Sequence, residues 1–444
     1  MAKRKDASLM SRLGSPLLGR RSFLGLAAAT ASFNIVRAAT PRTIEAGRRI
    51  RVALIGCRSM GWGDLTDVMN HPNMYCAALC DINQNILSSR ANEAQKLWGN
   101  RPDTYSDYRR ILDRKDIDAV VIGTPDHWHC LMMTDACSAG KDVYVEKPIA
   151  NSIIECDAMV AAQQRYGRVV QVGQQQRSSH LWHEMKRIVD SGQLGTIPRV
   201  NVWANFAYAA ILNPAKDGPT PEGIDFEMWL GPAPQRPFNE TRLNGLWRMF
   251  WDYGGGLLTD WGVHLLDMAF WGMNVKEMPL RVMGSGANHA YPNNFAETFD
   301  TLSVFYGYHD FLIQWSNVAI ESGPYGMNYG LEFKGTQGTL VVNREKMELY
   351  PLGEKQPSQQ WKPTNNEHYD HTTNFIDCVR EHRFDTACTI QNGAFCAKMA
   401  HLGNIAARTG QALTYDDQRR TFHDKAADKL IAHAYRKPWR MPKI

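Results

Sequence analysis

RVALIGCRSMG, residues 51–61, is an apolar strand that leaves on a glycine and runs into a helix. A turn of this kind that cradles a dinucleotide needs three things: a glycine to leave the strand, room beside a pyrophosphate, and a glycine for helix–strand packing. Gly56 and Gly61 fill the first and third roles, with Ser59 and Met60 between them. Arg58 stands where the second glycine is usually found, and its guanidinium turns either toward the pyrophosphate or to solvent. Asp81 ends the next strand, 25 residues beyond Gly56. A carboxylate there accepts hydrogen bonds from a ribose diol and repels a 2′-phosphate, so the motif favours NAD over NADP.

Working outward, apolar runs alternate with helical patterns from Arg51 to about Gly173. The strands read RVALIG, YCAALCD, AVVIGTP, VYVEKP and VVQVG. Helices are expected at 60–70, 83–98, 129–139 and 153–166. Repeated strand–helix units with Val/Ile-rich strands predict a doubly wound parallel sheet, a Rossmann domain over 48–173. After a helix at 180–191 the pattern changes to alternating aromatic strands: RVNVWANFAY, LRVMGSGANHAY, TLSVFYGYHDFLIQWSNV and YGLEFKGTQGTLVVN. These predict a second α/β domain over 174–350 with an open, mostly antiparallel sheet. Helical inserts are expected at 256–272 and in pieces over 369–408. The polar stretch 351–366 reads as a surface loop, and 366–444 as a helical return segment.

Residues 1–39 are set aside. They carry a basic front, then Arg20-Arg21-Ser22-Phe23-Leu24, a short apolar run and Val36-Arg37-Ala38. The paired arginines before Phe-Leu predict a twin-arginine signal, hence passage through the twin-arginine machinery to the periplasm, or a membrane tether where the signal stays uncleaved. This segment holds seven Lys/Arg and one Asp against a formal +5 for the whole chain, so the remainder is close to neutral. No basic patch is left to argue for nucleic acid. The nine cysteines include no CxxC pair and suggest neither a disulfide framework nor zinc.

Four further stretches bear on chemistry. Glu146-Lys147-Pro148 closes a parallel strand at its carboxyl end, where open α/β sheets place their ligands. Lys147 there is either a surface residue or a group that binds and acidifies a substrate hydroxyl. Asp260 and His264 lie four apart on one helix face, so the carboxylate is expected to fix the imidazole tautomer and raise its pKa; the alternative is a capped core histidine. Trp247, Trp251, Tyr253 and Trp261 belong to an aromatic-rich segment that is largely core and also the best candidate for a sugar-stacking wall. Thr124, Pro125, His127 and His129 follow the AVVIG strand and are expected to line the cofactor cleft; no third ligand is spaced to make the histidines a metal site.

In their order, RVALIG with its glycine turn, TPDHWH, EKP, VGQQQR and DWGVH resemble the Gfo/Idh/MocA oxidoreductases, the family of glucose–fructose oxidoreductase and inositol dehydrogenase. The resemblance covers nearly the whole chain after residue 39. It implies NAD as cofactor, a carbohydrate substrate, oligomer contacts through the open sheet of a homodimer or homotetramer, and Lys147, Asp260 and His264 as catalytic groups. Glu146, Lys147 and Gln175 join the cofactor-binding set. The expected reaction is oxidation of a secondary sugar hydroxyl, with His264 taking the proton, Asp260 stabilising the imidazolium and Lys147 holding the hydroxyl. An exported enzyme finds no free cosubstrate, so the NAD is expected to be loaded before export and recycled in place. Two cycles fit: reduction of a second substrate, or oxidation, elimination, hydration and re-reduction of one glycoside, which is net hydrolysis. The family's exported glycosidases resemble this chain less closely at Asp260, since they carry a Tyr–His arrangement.

Overall fold

A computed structural model describes residues 47–444. The twin-arginine segment lies outside the described residues. Strands β1 (Ile50–Ile55), β2 (Met74–Cys80), β3 (Asp103–Tyr105), β4 (Ala119–Ile122), β5 (Asp142–Val145) and β6 (Val170–Val172) form one sheet in the order β3-β2-β1-β4-β5-β6. Every neighbouring pair is parallel. The crossovers run through α1 (Ser59–Met69), α2 (Gln84–Trp98), α3 (Arg109–Leu112), α4 (Asp126–Ser138) and α5 (Ile153–Tyr166). β4, β5 and β6 are buried at every position, as strands covered on both faces must be. Two differences from the sequence pattern are local. β3 is only three residues of mixed polarity and gave no apolar run. α4 begins at Asp126, three residues early, because Pro125 sets the backbone that enters it.

α6 (His180–Asp190) leads to the second sheet. Its strands are β7 (Arg199–Ala204), β8 (Arg281–Ala287), β9 (Thr301–Gly307), β10 (Leu312–Val318), β11 (Tyr329–Lys334), β12 (Gly338–Val342), β13 (Met347–Pro351) and β14 (Gln359–Trp361), in the order β14-β13-β12-β11-β7-β10-β9-β8. All pairs are antiparallel except β7 with β10. Strict alternation of buried and half-buried residues along β9 and β10 leaves one face to the core. The stretch expected as a loop, 351–366, contains β14, which pairs with β13 through Gln359, Gln360 and Trp361.

Between β7 and β8 lie α7 (Phe226–Leu230), α8 (Glu240–Leu243), α9 (Gly256–Asp260) and α10 (Gly262–Gly272). The insert expected as a single helix over 256–272 is thus broken at Trp261. The chain then returns in α11 (Glu367–Glu381), α12 (Ile390–Thr409) and the short α13 (Lys425–Asp428). Phe375, Ile376 and Val379 of α11 pack with Leu54, Leu65 and Val68 on one face of the parallel sheet. α12 packs in the large core shared by the other face and the second sheet. All nine cysteines are buried and unpaired. Among the described residues no helix is long and apolar enough to cross a membrane.

Candidate active site

The first turn is pressed against the end of β4. Gly56 has φ +90°, and a Cβ on it would stand 2.7 Å from the carbonyl oxygen of Gly123. A Cβ on Gly61 would meet Gly56 O at 2.3 Å. A side chain at either place would collide with packed backbone, so the tight turn needs both glycines, and Gly56 lines the cleft as bare backbone, which suits close approach of a pyrophosphate. Asp81 sits at the carboxyl end of β2. Its Oδ2 accepts from Cys57 N at 2.8 Å and its Oδ1 from Asn83 N at 2.9 Å, so it splints the turn and keeps lone pairs for a ribose. Burial holds its carboxyl above the usual range.

A cleft opens from this turn. Gly56, Arg58, Ser59, Met60, Asp81, Thr124, Pro125, Glu146 and Lys147 line one side, and Trp229, Leu243, Asn244, Trp247 and Arg248 the other. The bare-backbone cradle, the carboxylate at the β2 end and the position over the carboxyl ends of β1, β2 and β4 fit a dinucleotide. Glu146 is 5 % exposed, and burial pushes it up to about 7. Arg58 is exposed, and its Nη1 donates to Asn244 Oδ1 across the cleft at 3.0 Å.

At the inner end, Lys147 Nζ donates to Asp260 Oδ1 at 2.7 Å and to Asp260 O at 3.0 Å. The Lys147–Pro148 bond is cis. Arg248 Nε donates to the same Oδ1 at 3.1 Å, and the Tyr208 hydroxyl to Oδ2 at 2.7 Å. Burial alone would raise this carboxyl; the charges of Lys147 and Arg248, with the bonds from Lys147 and Tyr208, hold it well below the usual carboxylate range. Asp260 therefore stays ionised.

The expected Asp260–His264 pair is not formed. The break at Trp261 turns the two residues onto different helices, and Asp260 is taken up by Lys147, Arg248 and Tyr208. His264 is 5 % exposed, and its Nδ1 is buried with no partner. Its pKa is not raised but driven well down, by burial first and then by the positive fields of Arg344 and Lys147. The imidazole is a neutral group, as a base must be, but for a reason other than the one its spacing suggested.

Several other expected residues brace the cleft from behind rather than line it. His127 Nε2 donates to Trp229 O at 2.9 Å and its ring packs on Tyr253. His129 lies between Thr124 O and Pro148 O, each 2.7 Å away, and so spans the ends of β4 and β5. Burial lowers both rings to about 4. Gln175 Nε2 faces His368 Nε2 at 3.1 Å. Among the described residues no cluster of three or more metal-binding side chains occurs.

The aromatic segment divides. Trp247 borders the cleft with Arg248 stacked 4.2 Å over it. Tyr253 is fully buried, 4.7 Å from Trp229. Trp251, half-buried, packs edge-on against Phe299 with Arg408 over its ring, and it does not line the cleft. Trp261 instead joins a cluster the sequence did not flag: Phe206 at 4.6 Å, Tyr329 at 4.7 Å and Arg344 at 5.0 Å, with Tyr208 stacked on Phe206 beside Asp260. The signal for Phe206 and Tyr208 lay in NFAY, two rings just past the carboxyl end of β7.

Residues 50–174 match the model of an oxidoreductase family with an NAD-binding Rossmann fold, and residues 180–310 and 348–441 match its C-terminal alpha/beta domain. The chain is 26 % identical over 306 residues to an uncharacterized oxidoreductase of Bacillus subtilis, YrbE, covering 67 % of this chain and 75 % of that one. It is 30 % identical over 120 residues to an alpha-N-acetylgalactosaminidase of Shewanella oneidensis, covering 26 % of each. Two solved structures share the fold. One is an aldose–aldose oxidoreductase from Caulobacter crescentus with glycerol (TM-score 0.63, 20 % identity, 83 % of this chain and 100 % of that one). The other is the WlbA dehydrogenase from Bordetella pertussis with NADH and UDP-GlcNAcA (TM-score 0.63, 21 % identity, 83 % and 100 %).

Proposed function

The chain belongs to the Gfo/Idh/MocA oxidoreductase family, with NAD as its cofactor, and from that premise we propose that it oxidises a secondary hydroxyl of a sugar or glycoside. The observation that carries the reading is the meeting of Lys147 with Asp260 at the inner end of the cleft. NAD supplies the hydride acceptor when bound. Lys147, oriented by two bonds to Asp260, holds the substrate oxygen and stabilises charge developing on it. His264, uncharged, takes the hydroxyl proton. Asp260 orients Lys147 and Tyr208 rather than His264. Phe206, Tyr208 and Trp261 offer ring faces for the CH face of a sugar.

We further propose that the protein is exported by the twin-arginine route on residues 1–39 with its NAD already bound, and that the hydride is returned within the site, as in an oxidoreductase that couples two aldoses. Homo-oligomer contacts on the second sheet, where Leu280 and Met283 stand 49 % and 44 % exposed, complete the proposal. A second reading, NAD-cycling hydrolysis of a glycoside, is favoured by the likeness to the Shewanella alpha-N-acetylgalactosaminidase. The test is to purify the protein without added nucleotide, add aldoses or aryl glycosides, and follow absorbance near 340 nm and aglycone release. A lasting rise at 340 nm supports the oxidoreductase. Aglycone release with no lasting rise supports the hydrolase. Formation of an oxidised and a reduced sugar with no lasting rise supports the coupled oxidoreductase, and the absence of all three signals with any sugar removes both.

A further inference from the structure

Besides the buried bonds from His127 and Trp128 to Trp229 O, three ties of differing strength cross the cofactor cleft. Beyond Asp81, Gln84 N donates to Gly223 O and Asp225 N to Ile82 O, both at 2.9 Å, a backbone splice between the segment before α7 and the end of β2. At the other end is the buried Lys147–Asp260 pair. Between them stands one exposed side-chain bond, Arg58 Nη1 to Asn244 Oδ1 at 3.0 Å.

Both partners of this middle bond are prepared for it. Arg58 precedes the first residue of α1 with extended backbone (φ −102°, ψ 164°), the place where a short polar side chain would cap the helix, yet it makes no capping bond. Its guanidinium is instead free to reach across. Asn244 follows α8, and its Nδ2 donates to Glu240 Oε1 at 3.1 Å, which leaves Oδ1 facing Arg58. The strap 243–248 is pinned at its far end, where Arg248 donates to Gly245 O and Asp260 Oδ1, both at 3.1 Å. Its near end is held by Asn244.

We propose that Arg58 and Asn244 form a latch that closes the strap 243–248 over bound NAD and slows its exit. The inference rests on the reading that the cofactor is captive, and it gives the arginine in the glycine turn a role across the cleft. An exposed charge-assisted bond supports a change in exit rate of about tenfold, ~1.4 kcal/mol by RT ln 10.

The experiment loads the full chain with NADH, chases with excess NAD without sugar, and follows loss of bound NADH fluorescence in the wild type, Arg58→Gln, Asn244→Ala and the double variant. A latch predicts that each single change speeds release about tenfold and that the double is no faster than either, because both break one bond. Unchanged rates overturn it. So does a double effect near hundredfold, or an effect of Arg58→Gln alone, either of which puts Arg58 on the cofactor itself. Release from the wild type within seconds would end the captive-cofactor reading, while the ratios among variants would still decide the latch. Unfolding temperatures of the NADH-free variants matching the wild type show that the fold is intact.

Discussion

Lys147 Nζ lies 2.7 Å from Asp260 Oδ1, two charges 113 residues apart in sequence that meet with side chains 11 % and 9 % exposed. One comes from the carboxyl end of β5 and the other from the end of α9, so the pair joins the parallel sheet to the segment over the cleft. Removing one partner of a buried pair leaves the other uncompensated, at roughly 3–5 kcal/mol. Arg248 and Tyr208 still serve Asp260, which places Lys147→Met toward the low end, about 3 kcal/mol. Turnover should fall by roughly 10²–10³-fold, the cost of losing one donor to a developing oxyanion, with nucleotide still bound. Denaturant melts, single-turnover absorbance at 340 nm and bound-nucleotide content check this; loss of the nucleotide together with activity would make Lys147 a cofactor ligand only.

Tyr208 donates to the second oxygen of Asp260 at 2.7 Å. Burial of the hydroxyl and the neighbouring carboxylate push the phenol far above its ordinary value, so it keeps its proton at every working pH. Tyr208→Phe deletes that donor and little volume. Asp260 keeps Lys147 and Arg248 on Oδ1 but loses the tie on Oδ2, so Lys147 is held less firmly. The expected result is a kcat lower by about tenfold, one hydrogen bond's worth, with KM for sugar near the wild-type value. A rise in KM alone would show that Tyr208 binds substrate and does not position Asp260.

The parallel sheet was legible because β1, β2 and β4 to β6 are apolar runs bounded by turns, and the glycine turn announced its own purpose. β3 and β14 were not, since three-residue strands of mixed polarity carry no period. At the site, motif residues that end strands, Lys147 and Asp81, are where their position in the fold requires. Asp260 and His264 show the limit of spacing arguments: i, i+4 puts two groups on one face only if the helix is continuous, and here it breaks at Trp261. Tyr208, Arg248 and Arg344 reach the site from three separate segments. Nothing local marks Arg248 or Arg344 as site residues, because long-range packing alone brings them there.

The aromatic cluster makes a directional prediction. Trp261 packs with Phe206, Tyr329 and Arg344 and adjoins Asp260, the partner of Lys147, whereas Trp251 packs with Arg408 and Phe299 and adjoins no group bonded to Lys147. Trp261→Ala should raise sugar KM about fivefold, the loss of one stacking face worth ~1 kcal/mol, and leave NADH binding unchanged. Trp251→Ala should lower the unfolding temperature with no change in KM. The opposite pattern in initial-rate kinetics would return the sugar wall to the 247–253 segment.

The pH dependence follows from what surrounds His264. Burial disfavours its charged form first; Arg344, Lys147 and His368 then add positive potential around it, with Glu367 facing Arg344 at 4.0 Å. The nearby carboxylate, Asp260, is already bonded to Lys147, Arg248 and Tyr208. A base works when unprotonated, so a lowered pKa extends activity to lower pH. The acid limb of kcat/KM assigned to His264 should lie well below 6.5, and turnover should not decline through this group between pH 8 and 6. Glu146, raised to about 7, and Asp126, raised well up by burial, both line the cleft, so an inflection near neutrality that vanishes in Glu146→Gln belongs to Glu146 and one that stays points to Asp126. Arg344→Gln removes one positive charge without touching Asp260, and the acid limb should move up toward the ordinary histidine value, while Arg344→Lys should hold it near the wild-type position. Profiles of kcat/KM from pH 5 to 9 for the three proteins decide it: an acid limb that stays put in Arg344→Gln would mean that burial alone sets His264, or that another group is the base.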